Sequence, residues 1–342
     1  TYQTLKEGGV DAFYQGELAS KISNYVQAHG GYITVEDLVS HRSDWVTPIC
    51  TDYRGVTVWE CPPNGQGLSA LMALNIAEGF DIGEMGPQST ARYHHLIESM
   101  RLAFADAFRF IADPNAVDVP APALLEKSYA ETRRTAIQPS IALPKVGHGC
   151  PTGASDTVYV TVVDAQGNAC SLINSLYESF GSGLVVPGTG VILQSRGGNF
   201  NLDPEHPNVI AGGKRPYHTL MPGLATRDGE LWLSFGVMGG FQQPQGHLQV
   251  ISNLVDFGMN PQAALDALRF KIDVLGDWQI DLEAGLDTQT IEGLAALGHR
   301  TNVVDGYDRE LFGGGQVIAR DPETGVLRAG SEPRNDGVAV GW

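Results

Sequence analysis

Positive charge, cysteine and long apolar runs are all scarce in this chain of 342 residues. Lys and Arg number 22 against 39 Asp and Glu, which gives a formal net charge of −17. Such a surface repels phosphate backbones and anionic lipid headgroups, so we expect no nucleic-acid partner and no membrane partner. No apolar run approaches the roughly 18 residues that a membrane-spanning helix needs.

The few cysteines form no recognisable pattern. Cys50, Cys61, Cys150 and Cys170 lack CxxC spacing and any paired metal-ligand arrangement. They are typical of buried apolar fillers, and they do not fix the redox compartment. Hydrophobic residues make up 42% of the chain, which is ordinary for a globular protein with one large domain or two smaller ones.

The sequence pattern changes near residue 157. Before that point apolar residues recur mostly at helical spacing, and a Gly- and Pro-rich stretch over 138–156 predicts a linker. The predicted helices are 1–29, 68–78, 90–111, 121–137, 242–256, 261–270 and 287–298, with a capping-box start at Thr34-Val35-Glu36-Asp37. The predicted strands are 56–61, 157–164, 169–175, 190–194, 231–236, 315–320 and 326–331.

Thr157 stands at the head of the first strand after the linker. If the Asp156–Thr157 bond were cleaved, the new α-amino group would act as general base for the neighbouring hydroxyl. Thr157 could then be a nucleophile without a catalytic histidine. A β-branched residue at a strand start is also ordinary, so this local pattern alone favours packing.

The motifs around Thr157 resemble those of the γ-glutamyltranspeptidase family of N-terminal-nucleophile hydrolases. The match begins with Asp156-Thr157-Val158-Tyr159 and continues to Gly167-Asn168-Ala169. Further matching motifs are Phe180-Gly181-Ser182-Gly183, Lys214-Arg215-Pro216, Gly239-Gly240 and Ser331-Glu332-Pro333-Arg334, with Phe13-Tyr14, His29-Gly30-Gly31, Tyr53-Arg54-Gly55 and Pro62-Pro63 upstream. The resemblance covers the whole chain and implies that roughly a third of the family's length precedes Thr1.

The resemblance implies an α+β fold, a four-layer αββα sandwich. It also implies cleavage between Asp156 and Thr157 into a large-subunit part, 1–156, and a small subunit, 157–342, which stay together as one structural domain. No metal or organic cofactor is implied. The expected partners are a small γ-glutamyl or related acyl amide and an acceptor, which is water, an amino acid or a peptide.

The resemblance also assigns catalytic roles. Thr157 matches the nucleophile, Ser175 matches the hydroxyl that hydrogen-bonds it, and Gly239 with Gly240 match the oxyanion-hole N–H donors. The glycine pair has a physical rationale of its own, since it lies between a predicted strand and a predicted helix whose N-terminus favours negative charge. A plain strand-to-helix turn and, for Ser175, an ordinary strand serine are the alternatives.

The substrate-binding positions depart from the family pattern. Glutathione-hydrolysing members carry an acidic residue where this chain has Asn199, adjacent serines at His218 and Thr219, and Asn at Tyr177; Arg196 opens the segment that contains Asn199. A neutral Asn binds an ammonium less well than a carboxylate does. This pattern is similar to the acylase-like branch, which favours a cytoplasmic location. The family's carboxylate-binding Arg is expected before Thr1.

Two alternatives remain open at this point. One is an acylase of the glutaryl or cephalosporin type with little glutathione activity. The other is a non-catalytic binding protein that retains the fold. Two further patterns carry less weight: His94-His95 with Glu98 lacks a third metal ligand and indicates packing, and Gly65-Gln66-Gly67 before a helix is a lone GxG.

Overall fold

A computed structural model describes residues 1–144 and 155–342, with the main chain only at 155 and 156. The stretch 145–154, which includes Cys150 and much of the predicted linker, lies outside the described residues. The described α-helices are α1 (Tyr2–Gly8), α2 (Asp11–Tyr14), α3 (Gly16–Ala28), α4 (Val35–Ser40), α5 (Gly67–Ala77), α6 (Thr90–Phe110), α7 (Ala121–Leu124), α8 (Lys127–Arg134), α9 (Gln242–Asp256), α10 (Pro261–Asp266) and α11 (Thr288–Ala296). The described strands are β1 (Ile49–Tyr53), β2 (Val56–Glu60), β3 (Ser155–Val163), β4 (Ala169–Glu178), β5 (Val185–Val186), β6 (Val191–Ile192), β7 (Gly223–Arg227), β8 (Glu230–Val237), β9 (Phe270–Ile272), β10 (Ile280–Glu283), β11 (Thr301–Val304), β12 (Gly315–Arg320) and β13 (Leu327–Ser331).

The chain divides into two compact units. The first consists of Thr1–Val46 and Leu176–Arg196, and its core packs Ile22 and Val26 of α3 against Val186 of β5. The second consists of Thr47–Ser175 and Gly197–Trp342 and contains the principal sheet. The predicted division at residue 156 concerns cleavage of the chain, and it stays a prediction.

An antiparallel six-stranded sheet in the order β1-β2-β7-β8-β12-β13 organises the second unit. Side chains along β8 alternate between its two faces, as the pleat requires. Phe235 and Val237 face α9, where the Phe235 ring lies 4.8 Å from the ring of His247. Ser234 and Gly236 face β3 on the opposite side.

The second unit therefore has helices on one face of the sheet and β3 with β4 on the other. Helix α5 packs on α6, α9, β1 and β2, and α9 packs on β8. This arrangement supplies three layers of the predicted sandwich. Val158, Val160 and Val162 on the outer face of β3 are 46–57% exposed, so within the described residues of this unit no helix covers them.

Two predicted helix starts are confirmed by their caps. The Thr34 hydroxyl accepts the Asp37 N–H at 3.2 Å while the Asp37 carboxylate accepts the Thr34 N–H at 2.7 Å, which is a capping box. Asn260 caps α10 through the N–H of Ala263 at 2.9 Å, with Pro261 at the first helical position. These local signals depend on neighbours in sequence alone.

Other predicted elements are wrong in extent. The helix over 1–29 is three helices, broken where Gly9 and Gly16 adopt φ values of 68° and 72°. The helix over 261–270 ends at Asp266, because Phe270 pairs with β10 instead.

The prediction that the cysteines are buried is wrong for Cys170. Cys170 is exposed, since alternate residues of β4 point outward, and no disulfide links it to Cys50 or Cys61. Among the helices in the described ranges, none is both long enough and apolar enough to cross a bilayer.

Candidate active site

Thr157 and Ser175 meet across the β3–β4 hairpin. The Thr157 hydroxyl donates a hydrogen bond of 3.0 Å to the Ser175 hydroxyl, and both side chains are half-buried. Strands β3 and β4 pair with each other, which fixes the two residues on one side of the hairpin. The predicted neighbour relationship between these two hydroxyls is therefore present in the structure.

The packing of β3 on β8 places Thr157 at one end of the large sheet. The hydroxyl of Thr161 hydrogen-bonds that of Ser234, and the ring of Tyr159 lies over Gly236. The two strands therefore run in opposite directions where they pack: moving two residues towards the N-terminus on β3 corresponds to moving two residues towards the C-terminus on β8. Continuing the same step brings Thr157 level with Met238, the residue that precedes Gly239.

The Gly239–Gly240 turn joins β8 to α9. Its φ values, 126° at Gly239 and 59° at Gly240, lie in a region that residues with a Cβ rarely adopt. The two carbonyls accept the N–H groups of Gln242 and Gln243 at 2.9 and 3.2 Å, which starts α9. Within residues 1–144 and 155–342, the N–H groups of Gly239 and Gly240 donate to no acceptor. They are therefore available to a ligand oxygen beside a helix N-terminus.

A second glycine turn supports this one. The Met238 N–H donates to the Gly314 carbonyl at 2.9 Å, and a Cβ on Gly313 would lie 2.2 Å from the Met238 carbonyl oxygen. The buried guanidinium of Arg269 donates to the carbonyls of Phe312 and Gly313, each at 3.0 Å. It is also paired with Glu332 at 2.8 Å. The C-terminal motif containing Glu332 thus holds the turn that packs against Met238 and Gly239.

A buried acid and histidine lie beneath the same turn. His247 donates from Nδ1 to Glu60 at 2.6 Å and accepts the Val237 N–H at its Nε2 atom at 3.2 Å. Burial raises the pKa of Glu60, and the contact with His247 opposes that rise. The pair fixes the end of β8. Sequence reasoning missed Glu60, His247 and Arg269, since only their long-range contacts set them apart from ordinary core residues.

Asn199 and His218 are held in one hydrogen-bonded segment of the second unit. The Asn199 side-chain amide donates to the Tyr217 carbonyl at 3.1 Å, and the Asn199 main-chain carbonyl accepts the Asn208 side-chain amide at 2.7 Å. The His218 ring accepts the Leu220 N–H at 3.1 Å, and Thr219 is buried. Binding roles for Asn199, His218 and Thr219 stay predictions.

Tyr177 and Arg196 contact each other in the first unit. The guanidinium lies 5.6 Å from the centre of the Tyr177 ring, and both residues are buried. Burial lowers the pKa of Arg196 to about 10, against the opposing effect of Tyr177. Tyr177 has a φ of 80°, a conformation that Asn adopts more readily than Tyr. The predicted Asn-to-Tyr departure therefore falls at a left-handed backbone position.

The histidine pair on α6 has a third partner that sequence spacing did not indicate. His94, Glu98 and His299 offer ligand atoms that lie within 4.8 Å of one another. His299, however, faces His94 with Nε2, at 2.8 Å, and Glu98 with Nδ1, at 3.7 Å. Arg101 donates to Glu98 at 2.7 Å. Both ring nitrogens of His299 therefore face side chains of this cluster, and the guanidinium of Arg101 lies beside it. This arrangement favours a buried hydrogen-bond network over a cation site.

Comparisons with known proteins agree with this geometry. The γ-glutamyltranspeptidase family model matches residues 1–342. The glutathione hydrolase-like YwrD proenzyme of Bacillus subtilis is 39% identical over 98% of this chain and 64% of its own length. The acylase ACY 1 proenzyme of Pseudomonas sp. (strain SE83) is 34% identical over 97% of this chain and 58% of its own length. The crystal structure of cephalosporin acylase from Bacillus halodurans has a TM-score of 0.90 at 46% identity, covering 99% of this chain and 61% of that chain.

The chain thus spans less than two thirds of the length of these relatives. The solved acylase structure confirms the predicted α+β fold of the N-terminal-nucleophile type. Of these three relatives, one is named a glutathione hydrolase-like protein and two are named acylases, and two of the three are proenzymes, in agreement with the resemblance seen in the motifs. The chain belongs to the γ-glutamyltranspeptidase family.

Proposed function

We propose that the full-length protein containing this chain is a self-processing amidohydrolase or acyltransferase. Thr157 is its nucleophile, and its substrates are γ-glutamyl or related dicarboxylic acyl amides. The observation that carries the proposal is the Thr157–Ser175 hydroxyl pair, at 3.0 Å. It lies on a strand whose packing on β8, continued by two residues, brings Thr157 level with Met238, the residue before the Gly239–Gly240 turn.

Self-processing would begin at the uncleaved Asp156–Thr157 peptide. The Thr157 oxygen attacks the Asp156 carbonyl carbon, and its proton leaves through the hydroxyl of Ser175, which already accepts that hydrogen bond. The C–N bond breaks as the nitrogen takes up a proton, which leaves an ester between Asp156 and the Thr157 oxygen. The Thr157 amine is free from this point, and water then hydrolyses the ester, which releases the Thr157 hydroxyl and a carboxylate on Asp156 and separates the two chains.

The freed amine would act as general base in each later turnover. It removes the proton from the Thr157 hydroxyl as the oxygen attacks the substrate amide carbon, and the proton passes to the leaving amine. The resulting oxyanion would accept the N–H groups of Gly239 and Gly240. Removing one donor of this kind lowers kcat by a factor of roughly 10²–10³ in related chemistry. Water or an amino acid then resolves the acyl ester.

One feature of the substrate segment favours an acylase with little glutathione activity as the second candidate. Asn199 is neutral, and its amide already donates to Tyr217. It therefore offers a substrate ammonium a neutral amide oxygen and no opposite charge, which binds less strongly than a carboxylate. The cephalosporin acylase of Bacillus halodurans, at 46% identity, supports the same candidate.

Hydrolysis of paired anilides tests both candidates. γ-Glutamyl and glutaryl p-nitroanilide differ only in the α-amino group, so the ratio of their kcat/KM values measures how the site treats that group. We expect the full-length protein to hydrolyse at least one of them and Thr157→Ala to hydrolyse neither. A preference for the glutaryl substrate would favour the acylase, and hydrolysis unaffected by Thr157→Ala would overturn the proposal.

A further inference from the structure

Gln66 connects two segments of the candidate site through one amide group. Its side chain is fully buried just before α5, in the Gly65-Gln66-Gly67 stretch. The Nε2 atom donates to the carbonyl of Thr219 at 2.6 Å and to that of Gly240 at 2.8 Å. Both of its hydrogens are therefore used, one on the predicted substrate segment and one on the predicted oxyanion turn.

The orientation of this amide is set by its surroundings. Turning it over would place Oε1 against two carbonyl oxygens, which repel it. In the adopted orientation Oε1 has no hydrogen-bond partner in the described part of the chain. A buried polar atom without a partner is costly. Gln66 thus keeps both Nε2 hydrogen bonds although its Oε1 atom is left without a partner, which indicates that these two hydrogen bonds contribute to the structure of the site.

The main chain around Gln66 strengthens the connection. The Gln66 N–H donates to the His218 carbonyl at 2.9 Å, and the His218 N–H donates to the Asn64 carbonyl at 2.9 Å. Gly65 pairs with His218 as a parallel bridge. Residues 64–66 therefore bind along the segment that carries His218 and Thr219, and the Gln66 side chain extends from there to the Gly240 carbonyl.

We propose that Gln66 is a positioning residue for the oxyanion turn, a role that rests on the proposed function. The Gln66 amide holds the Gly240 carbonyl, and with it the peptide plane that follows Gly240, at a fixed position relative to Thr219. It thereby sets the direction in which the N–H groups of the turn point towards the bound acyl group. Donors stabilise a transition state only when they are aimed at the developing oxyanion, so a small rotation of this turn lowers kcat. Gln66 itself touches no reacting atom.

The test compares two buried glutamines in the full-length protein. Gln249 also donates from Nε2 to two carbonyls, those of Gln245 at 2.9 Å and Phe270 at 3.1 Å, but it joins α9 to β9. Gln66→Met and Gln249→Met thus remove equal numbers of donors from different places. We expect both to lower Tm, while only Gln66→Met lowers kcat on the acyl anilide, by about tenfold to a hundredfold, with KM changed less than threefold.

A second pair of variants keeps the side-chain length and changes the donor. Gln66→Glu retains one O–H donor when protonated and none when ionised, so its kcat should fall with rising pH relative to the parent. Gln249→Glu should show no such extra fall. Equal kcat losses in the two methionine variants, or parallel pH profiles for Gln66→Glu and the parent, would overturn the inference while leaving the proposed function intact. A parent protein that neither cleaves itself nor hydrolyses an anilide would overturn both.

Discussion

The ring of Tyr159 lies so close over Gly236 that a Cβ on Gly236 would be 2.4 Å from the ring atom Cε2. Contacts that short do not occur between real side-chain carbons, so only glycine fits here. This close approach lets β3 pack on β8, and the same packing continued by two residues brings Thr157 level with Met238, which precedes the Gly239 turn. The position of the candidate nucleophile thus depends on a glycine far from it in sequence.

Replacing Gly236 by alanine should push β3 away from β8. We expect Gly236→Ala to lower the free energy of unfolding by about 1–3 kcal/mol, as overpacking of a tight interior does, and to slow self-cleavage. Denaturant midpoints and the cleaved fraction over time measure the two effects. Gly212→Ala is the matched control, because nothing lies within 4 Å of a Cβ there. Equal midpoints for the two variants would contradict the packing argument.

Ser175 should act on the rate of chemistry more than on stability. If its hydroxyl receives the Thr157 proton, Ser175→Ala should slow self-cleavage by roughly 10²-fold or more, the range of general acid–base contributions. Ser171 lies on the same face of β4 and bonds Tyr159 at 2.6 Å instead. Ser171→Ala should therefore lose stability and keep its cleavage rate within a few fold. Similar cleavage rates in the two variants would remove Ser175 from the mechanism.

The buried histidine network should make the protein sensitive to acid. Burial, with His94 and Arg101 nearby, lowers the pKa of His299 from 6.5 to about 3. Between these values the unfolded chain binds the extra proton, so stability rises with pH through this window and is lost as pH falls. The loss attributable to His299 at pH 5 is about 2 kcal/mol.

Unfolding of His299→Gln between pH 4 and 7 measures this contribution. The variant should be less stable than the parent at pH 7, because it loses the contact with His94, but its stability should change less with pH. His41 is exposed, so His41→Gln is the matched control for replacing a histidine by glutamine. A His299→Gln slope as steep as that of the parent would assign the acid sensitivity to other groups.

Asn199 should control the preference between the two acyl anilides. Asn199→Asp offers a carboxylate to the α-amino group, so kcat/KM for the γ-glutamyl substrate should rise about tenfold relative to the glutaryl one. The variant should also lose about 1 kcal/mol of stability, because Asp cannot donate to the Tyr217 carbonyl. Asn201→Asp adds the same charge two residues away, and it should leave the substrate ratio unchanged. A ratio that moves equally in both variants would show that only overall charge matters.

Much of the element order could be predicted from local pattern. Helix α9 and strand β12 have the predicted bounds, and the caps at Thr34 and Asn260 form as their sequences indicate. The predicted strand over 190–194 survives only as Val191–Ile192. Strands β1, β7, β10 and β11 were missed, because each is only four or five residues long. Strand β1 pairs with the next strand, β2, whereas β7 pairs with β2 and β11 pairs with β10 across intervening helices.

The residues of the candidate site likewise fall into two groups, those that sequence motifs identify and those that only long-range contacts identify. Thr157, Ser175 and the Gly239–Gly240 pair belong to recognisable motifs, so sequence could name them. Gln66 and His247 could not be named, because what distinguishes them is a set of contacts with residues more than 150 and 180 positions away. His299 completes the network of His94 from 205 positions away, so spacing along α6 could not reveal it.

The intact mass of the denatured full-length protein tests the central claim most directly, beside its Thr157→Ala and Thr157→Ser variants. The account predicts two pieces meeting between Asp156 and Thr157 in the parent, slower formation of the same pieces in Thr157→Ser, and a single chain in Thr157→Ala. A single uncut chain in all three, or the same two pieces in Thr157→Ala, would contradict the role of Thr157 as the nucleophile of its own release.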